Sequence, residues 1–173
     1  MRKVLVVVDM QKDFVDGALG SKEAVAIVDN VVNKINEFEG KIFVTYDTHK
    51  ENYMETREGK YLPVPHCIKD TDGWKLNDKV QKALEGKDYK VICKPTFGST
   101  QLVEEFRDIA ETQAEVALIG LCTDICVISN ALLLKAAFHE MDITVDANCC
   151  AGVTPMKHEA ALEVMRSCQI NIV

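Results

Sequence analysis

The chain has 173 residues, 47% of them hydrophobic, with 20 basic against 27 acidic side chains and a net charge of −7. A domain of this length buries about 70% of its unfolded surface and needs no disulfide staples. The negative balance, with no basic run longer than two residues, argues against nucleic-acid and anionic-membrane partners, which bind clustered lysine and arginine.

The apolar run Val4–Asp9 is the first predicted strand. It breaks at Asp9, too early for a membrane span or a signal-peptide core. Gly17 and Gly20 mark a turn before a helix whose apolar positions are Val25, Val28, Val32, Ile35 and Phe38. Further strands are predicted at Lys41–Asp47, Tyr89–Lys94, Glu115–Leu121, Asp142–Ala147 and Gln169–Val173. Helices are predicted at Leu76–Leu84, Thr100–Ala110, Asp124–His139 and Pro155–Ser167. Almost wholly apolar strands separated by helices imply a parallel sheet covered on both faces, a doubly wound, six-stranded α/β fold over one domain, 1–173. The polar stretch Thr48–Gly73 has no clear period and contains Pro63 and Pro65. A loop that long in a compact domain is usually functional.

The seven cysteines are scattered and form no Cys-x-x-Cys pair. Free thiols in a reducing cytoplasm are the expectation. Cys93 precedes Lys94 on one strand and should face away from it. Cys149 and Cys150 are expected just after the fifth strand, and Cys168 in the core. No Walker A or G-x-G-x-x-G pattern is present, so a nucleotide cofactor is not supported.

The carboxyl ends of all strands in such a sheet open onto one crevice. Asp9 ends the first strand, Lys94 the third, and Cys126 lies just after the fourth. With Thr123 as N-cap, Cys126 falls in the first helical turn, where the dipole and a nearby Lys94 favour thiolate. Asp9 would keep Lys94 charged or take the thiol proton when substrate arrives. Each residue alone has a plainer reading: a turn aspartate, a solvated strand end, a core thiol. Only their joint placement points to a nucleophile, a base and a cation meeting. At the same crevice, Asp47 and His49 stand two residues apart, and the long loop adds Glu58 and His66. Histidine and carboxylate ligands suit zinc, iron or manganese, with room left for substrate or water.

Val7-Val8-Asp9-Met10-Gln11-Lys12-Asp13-Phe14 resembles the opening strand and turn of the isochorismatase-like cysteine hydrolases. Gly120-Leu121-Cys122-Thr123-Asp124-Ile125-Cys126-Val127 resembles their nucleophile segment, and Asp47-Thr48-His49 with Pro65-His66-Cys67 resembles the metal loop of the nicotinamidase branch. The resemblance implies a six-stranded parallel sheet and a catalytic triad of Asp9, Lys94 and Cys126. It implies a cis peptide at Leu121–Cys122 and an oxyanion hole from the backbone N–H groups of Cys122 and Cys126. It also implies one divalent ion, zinc first with iron or manganese as alternatives, on Asp47, His49, His66 and, in some members, a carboxylate matching Glu58. The ring pocket would take Phe14 and Leu121, with Tyr61 or Trp74 as a further aromatic. The expected reaction is hydrolysis of nicotinamide to nicotinate and ammonia through a thioester. Alternatives left open are another small amide, ureido or carbamoyl substrate, or a non-catalytic thiol or binding protein. Self-association is a family-level expectation, since no surface patch can be read from sequence.

Overall fold

The computed structural model describes residues 2–110 and 114–173. Six strands, β1 (Arg2–Val8), β2 (Lys41–Asp47), β3 (Tyr89–Lys94), β4 (Ala114–Leu121), β5 (Asp142–Ala151) and β6 (Asn171–Ile172), form one sheet in the order β3-β2-β1-β4-β5-β6. Every pairing is parallel. Helices α1 (Lys12–Val15), α2 (Lys22–Glu37), α3 (Arg57–Tyr61), α4 (Asp78–Leu84), α5 (Thr100–Ala110), α6 (Ile128–Ala137) and α7 (Pro155–Ser167) complete the fold. None of the described helices is long and apolar enough to cross a membrane.

β1 shows why both faces must be covered. Its side chains alternate, so Val4, Val6 and Val8 enter one core with Leu102, Phe106, Leu134 and Met165, while Leu5 and Val7 enter the other with Val28, Val31 and Leu84. α2 is capped by Ser21, whose hydroxyl accepts the Ala24 N–H at 3.0 Å. Its buried stripe is Ala24, Ile27, Val28, Val31 and Ile35. The apolar spacing had pointed to a face through Val25, but Val25 is 51% exposed, because the stripe that follows the 3.6 period runs through Ala24 and Ile27 instead.

Three boundaries differ from the sequence reading. β5 runs on to Ala151, because an irregularity in its pairing with β4 lets Gly120 and Leu121 pair again with Cys150 and Ala151. Cys149 and Cys150 therefore lie within the strand, one in each core, rather than after it. β6 shrinks to two residues, with Gln169 just before it at a φ of 64° and Cys168 half-buried at the end of α7 rather than in the core. The Thr48–Gly73 stretch contains a 3-10 turn, Tyr53–Glu55, and then α3, which Thr56 caps by accepting the Gly59 N–H at 3.0 Å.

Candidate active site

The strand order reverses between β1 and β4, which sit side by side, and a crevice opens there at their carboxyl ends. Asp9 follows β1 with a φ of 48°, so the chain turns sharply as it leaves the sheet. Gly120, at the end of β4, has a φ of 117°, and a Cβ there would collide with the Val8 carbonyl. Glycine is thus what lets the nucleophile segment lie directly against the strand carrying Asp9. The Leu121–Cys122 peptide is cis, as the resemblance implied. Thr123–Val127 then forms a π-helical turn running into α6.

The helix starts one residue earlier than expected. Cys122, not Thr123, holds the N-cap position, and the Thr123 hydroxyl instead shares a 2.7 Å hydrogen bond with His158 Nδ1 on α7. Cys126 still lies in the first turn. Cys93 is exposed while its neighbour Lys94 is buried, so the strand alternation holds.

Asp9, Lys94 and Cys126 meet. Lys94 Nζ is 2.6 Å from Asp9 Oδ2 and 3.5 Å from Cys126 Sγ, and it donates to the Thr96 carbonyl at 3.0 Å. The Thr45 hydroxyl donates to Asp9 Oδ1 at 2.6 Å. Burial works against the Lys94 charge, but Asp9 and Asp47 overcome it and hold the ammonium protonated. Burial raises the Asp9 pKa, opposed by Lys94 and reinforced by Asp47. The Cys126 pKa also lies well above its ordinary value, first because the thiol is buried and then because Asp9 faces it, with Lys94 pulling the other way. The helix terminus and Lys94 thus favour the thiolate while burial and Asp9 oppose it. Desolvation outweighs the helix terminus and Lys94, so Cys126 rests as a thiol beside a carboxylate able to take its proton.

The second cluster lies alongside. One ligand atom from each of Asp47, His49, Glu58 and His66 falls within 4.8 Å of every other. His49 Nε2 is 2.9 Å and His66 Nε2 3.4 Å from Asp47 Oδ2, and the same two nitrogens are 3.7 and 3.6 Å from Glu58 Oε1. His66 Nδ1–H donates to the Val64 carbonyl at 2.8 Å, which fixes the ring with Nε2 facing the cluster. Burial disfavours the Asp47 anion, yet His49, His66 and Lys94 hold its pKa well below the usual carboxylate range, while burial and Asp47 push Glu58 up. Two imidazole nitrogens and two carboxylates converging at this spacing fit one divalent ion.

Three residues that build the site were assigned no role in the sequence reading. Tyr53 is wholly buried, lies edge-on to both His49 and His66, and donates its hydroxyl to the Leu62 carbonyl at 2.9 Å. Gln11 grips Asp47 by its main chain, donating to the carbonyl at 2.9 Å and accepting the N–H at 2.8 Å. Asn130, on the buried face of α6, donates to the Cys126 carbonyl at 2.8 Å and the Phe97 carbonyl at 3.1 Å, and accepts the Ser99 N–H at 3.0 Å. It ties the nucleophile turn to the loop that follows Lys94. An asparagine in line with the apolar positions Val127, Ala131 and Leu134 at helical spacing was the available clue for Asn130.

A cavity of about 330 Å³ is shared by the two clusters and is lined by Cys122 and Cys126 together with Asp47, Glu58 and His66. Phe14 forms part of its wall, tilted against His66 with ring centroids 5.4 Å apart. The other expected ring contacts fall elsewhere. Tyr61 is 80% exposed, stacked under Arg57, and lines a separate cleft, because α3 turns its last residue outward. Leu121 packs into the core with Val7 and Ile119, and Trp74 packs on Tyr46 and donates its indole N–H to the Thr48 hydroxyl. Leu62, Phe97, Ile125 and Val153 supply the remaining apolar wall.

The family model described as Isochorismatase domain matches residues 3–173. The Bacillus subtilis isochorismatase family protein PncA is 30% identical over 145 residues, 76% of this chain and 78% of that protein. The solved structure of nicotinamidase/pyrazinamidase PncA from Bacillus subtilis matches with a TM-score of 0.87 at 26% identity, covering 100% of both chains. That of the Pyrococcus horikoshii pyrazinamidase in complex with zinc matches with a TM-score of 0.84 at 29% identity, covering 100% of this chain and 99% of the other.

Proposed function

The chain belongs to the isochorismatase family, and from that membership we propose that it is an amidohydrolase converting nicotinamide to nicotinate and ammonia. The observation that carries this reading is one cavity lined both by Cys126, the thiol of the Asp9–Lys94–Cys126 triad, and by Asp47, Glu58 and His66 of the neighbouring cluster. The nicotinamidase and pyrazinamidase structures it matches support the substrate class.

Asp9 takes the Cys126 proton as the thiolate attacks the carboxamide carbon. The backbone N–H groups of Cys122 and Cys126 hold the oxyanion, each donor contributing about 3 kcal/mol in comparable sites. Asp9 returns the proton to the departing ammonia, which leaves a thioester on Cys126. Asp9 then draws a proton from the water that attacks this thioester and releases nicotinate. Lys94 keeps its proton throughout, orienting Asp9 and offsetting the negative charge. It is a poor base, since the anions around it hold its proton on.

Asp47, His49, Glu58 and His66 would hold one divalent ion, with zinc favoured by the donor set and by the zinc in the Pyrococcus horikoshii protein. Bound there, it supplies a Lewis-acid position for the ring nitrogen of a pyridine carboxamide. Phe14 packs on the ring. We place the protein in the cytoplasm as a single domain over 1–173, without nucleic-acid or membrane partners, in keeping with its net charge of −7 and seven free thiols. Ammonia release from nicotinamide, measured together with elemental analysis of the purified protein, tests the reading. Release with a stoichiometric divalent ion supports it; metal-loaded protein that releases no ammonia overturns it.

A further inference from the structure

We propose that the cavity takes pyridine carboxamides that carry an apolar substituent of about four carbons on the ring carbon meta to both the nitrogen and the carboxamide. This rests on the amidase reading above and goes beyond nicotinamide itself. The first argument is room. A dry apolar cavity of about 150 Å³ holds one benzene-sized ring, and a carboxamide with half as many heavy atoms needs about half as much again. The cavity measures about 330 Å³, so roughly 100 Å³ remains, enough for about four further carbons.

The second argument is direction. The carboxamide must reach Cys126 and the ring nitrogen must face Asp47, Glu58 and His66. The ring carbon meta to both then points away from both, and the side chains left in the lining to meet it are mainly apolar, among them Leu19, Leu62, Phe97 and Val153. Leu62, Phe97 and Val153 are 38%, 44% and 45% exposed, an apolar rim that an apolar substituent would cover.

The third argument is the chemistry of that wall. Ser21, which accepts the Ala24 N–H, keeps its hydroxyl proton but carries no charge, and the nearby Asp124 carboxylate, which accepts the Val153 N–H, would repel an anion. No lysine or arginine lines the cavity among the described residues, and Lys94 is buried against Asp9. A substituent bearing a carboxylate or phosphate would lose its water there without a counter-charge. The wall selects apolar over anionic.

The test is steady-state kinetics of the metal-loaded full chain on three amides: nicotinamide, 5-butylnicotinamide and 5-carboxymethylnicotinamide. The expected kcat/KM for the butyl compound equals or exceeds that for nicotinamide through a lower KM, while the carboxymethyl compound falls about 100-fold or more below both. Leu62→Trp and, separately, Val153→Trp should each lower the butyl-to-nicotinamide ratio about tenfold by filling the space. Two positions are used so that one misfolded variant leaves the other to decide. A butyl compound more than about tenfold poorer than nicotinamide, or a ratio that neither variant changes, overturns this inference alone. Absence of turnover on all three amides would instead remove the amidase reading on which it stands.

Discussion

The Lys94 ammonium lies 2.6 Å from Asp9 Oδ2, and neither side chain has any exposed surface. A buried ion pair contributes little to net stability but is costly to break, about 3–5 kcal/mol when one partner is removed. Asp9→Asn and Lys94→Met should each lower the unfolding free energy by about that amount and abolish turnover. The double variant should regain much of the stability and none of the activity. Denaturant melts with ammonia-release assays on all three proteins check it; a double variant no more stable than the singles would show that the pair is not a closed unit.

Cys126→Ala should lose all measurable turnover while melting within about 1 kcal/mol of the parent, because the change removes only a small buried sulfur. Cys93→Ala, on the exposed side of β3, should leave turnover intact. Near-normal ammonia release from Cys126→Ala would refute covalent catalysis by this thiol.

The pH dependence follows from the raised Cys126 pKa. Burial and Asp9 hold the thiol protonated and Lys94 opposes them, so the thiolate appears only well into the alkaline range. Iodoacetamide capture of Cys126 should therefore be slow at neutral pH and climb as pH rises. Removing the opposing charge in Lys94→Ala should move that climb to still higher pH. Mass spectrometry of the alkylated peptide across a pH series reads it out, and an unchanged profile would take Lys94 out of thiol activation.

Asn130 is wholly buried, with both ends of its amide in use. Asn130→Asp keeps the acceptor for the Ser99 N–H and loses the donors to the Cys126 and Phe97 carbonyls. It should cost about 1–3 kcal/mol and lower kcat, since those donors hold the nucleophile turn. Asn130→Ser, smaller but still able to donate, should recover part of the kcat. Equal kcat in both variants and the parent would leave Asn130 a purely structural residue.

Nicotinamide and benzamide share shape and carboxamide and differ in one ring nitrogen. If the Asp47–His49–Glu58–His66 cluster holds an ion that this nitrogen meets, nicotinamide should be favoured by up to roughly 10⁴-fold. Chelation, or His49→Ala with His66→Ala, should collapse that preference as well as the rate. Kinetics on both amides with metal-loaded and stripped protein decide the matter. A preference that survives complete removal of the ion would contradict a metal contact.

The alternation of apolar and helical segments was enough to imply six parallel strands, because a strand buried on both faces must be apolar along its whole length, as Val4–Val8 is. The ends of those strands placed Asp9, Lys94 and Cys126 at one crevice, since a parallel sheet brings all carboxyl ends to the same side. Asp47 and His49 were legible for the same reason, standing at the end of β2, and Glu58 and His66 as ligand-type side chains in the long loop that leaves it. Other features depended on contacts between segments far apart in the chain. Tyr61 and Leu121 looked suited to a ring pocket, yet one faces solvent and the other a core, because side-chain direction after a short helix or a cis peptide is set by what packs against it. Asn130 reaches back 31 residues to Ser99, and Gln11 spans 36 to Asp47, distances at which no local pattern operates. The depth of burial that raises the Cys126 pKa was also beyond the sequence, from which only the helix terminus and Lys94, both favouring the thiolate, could be seen.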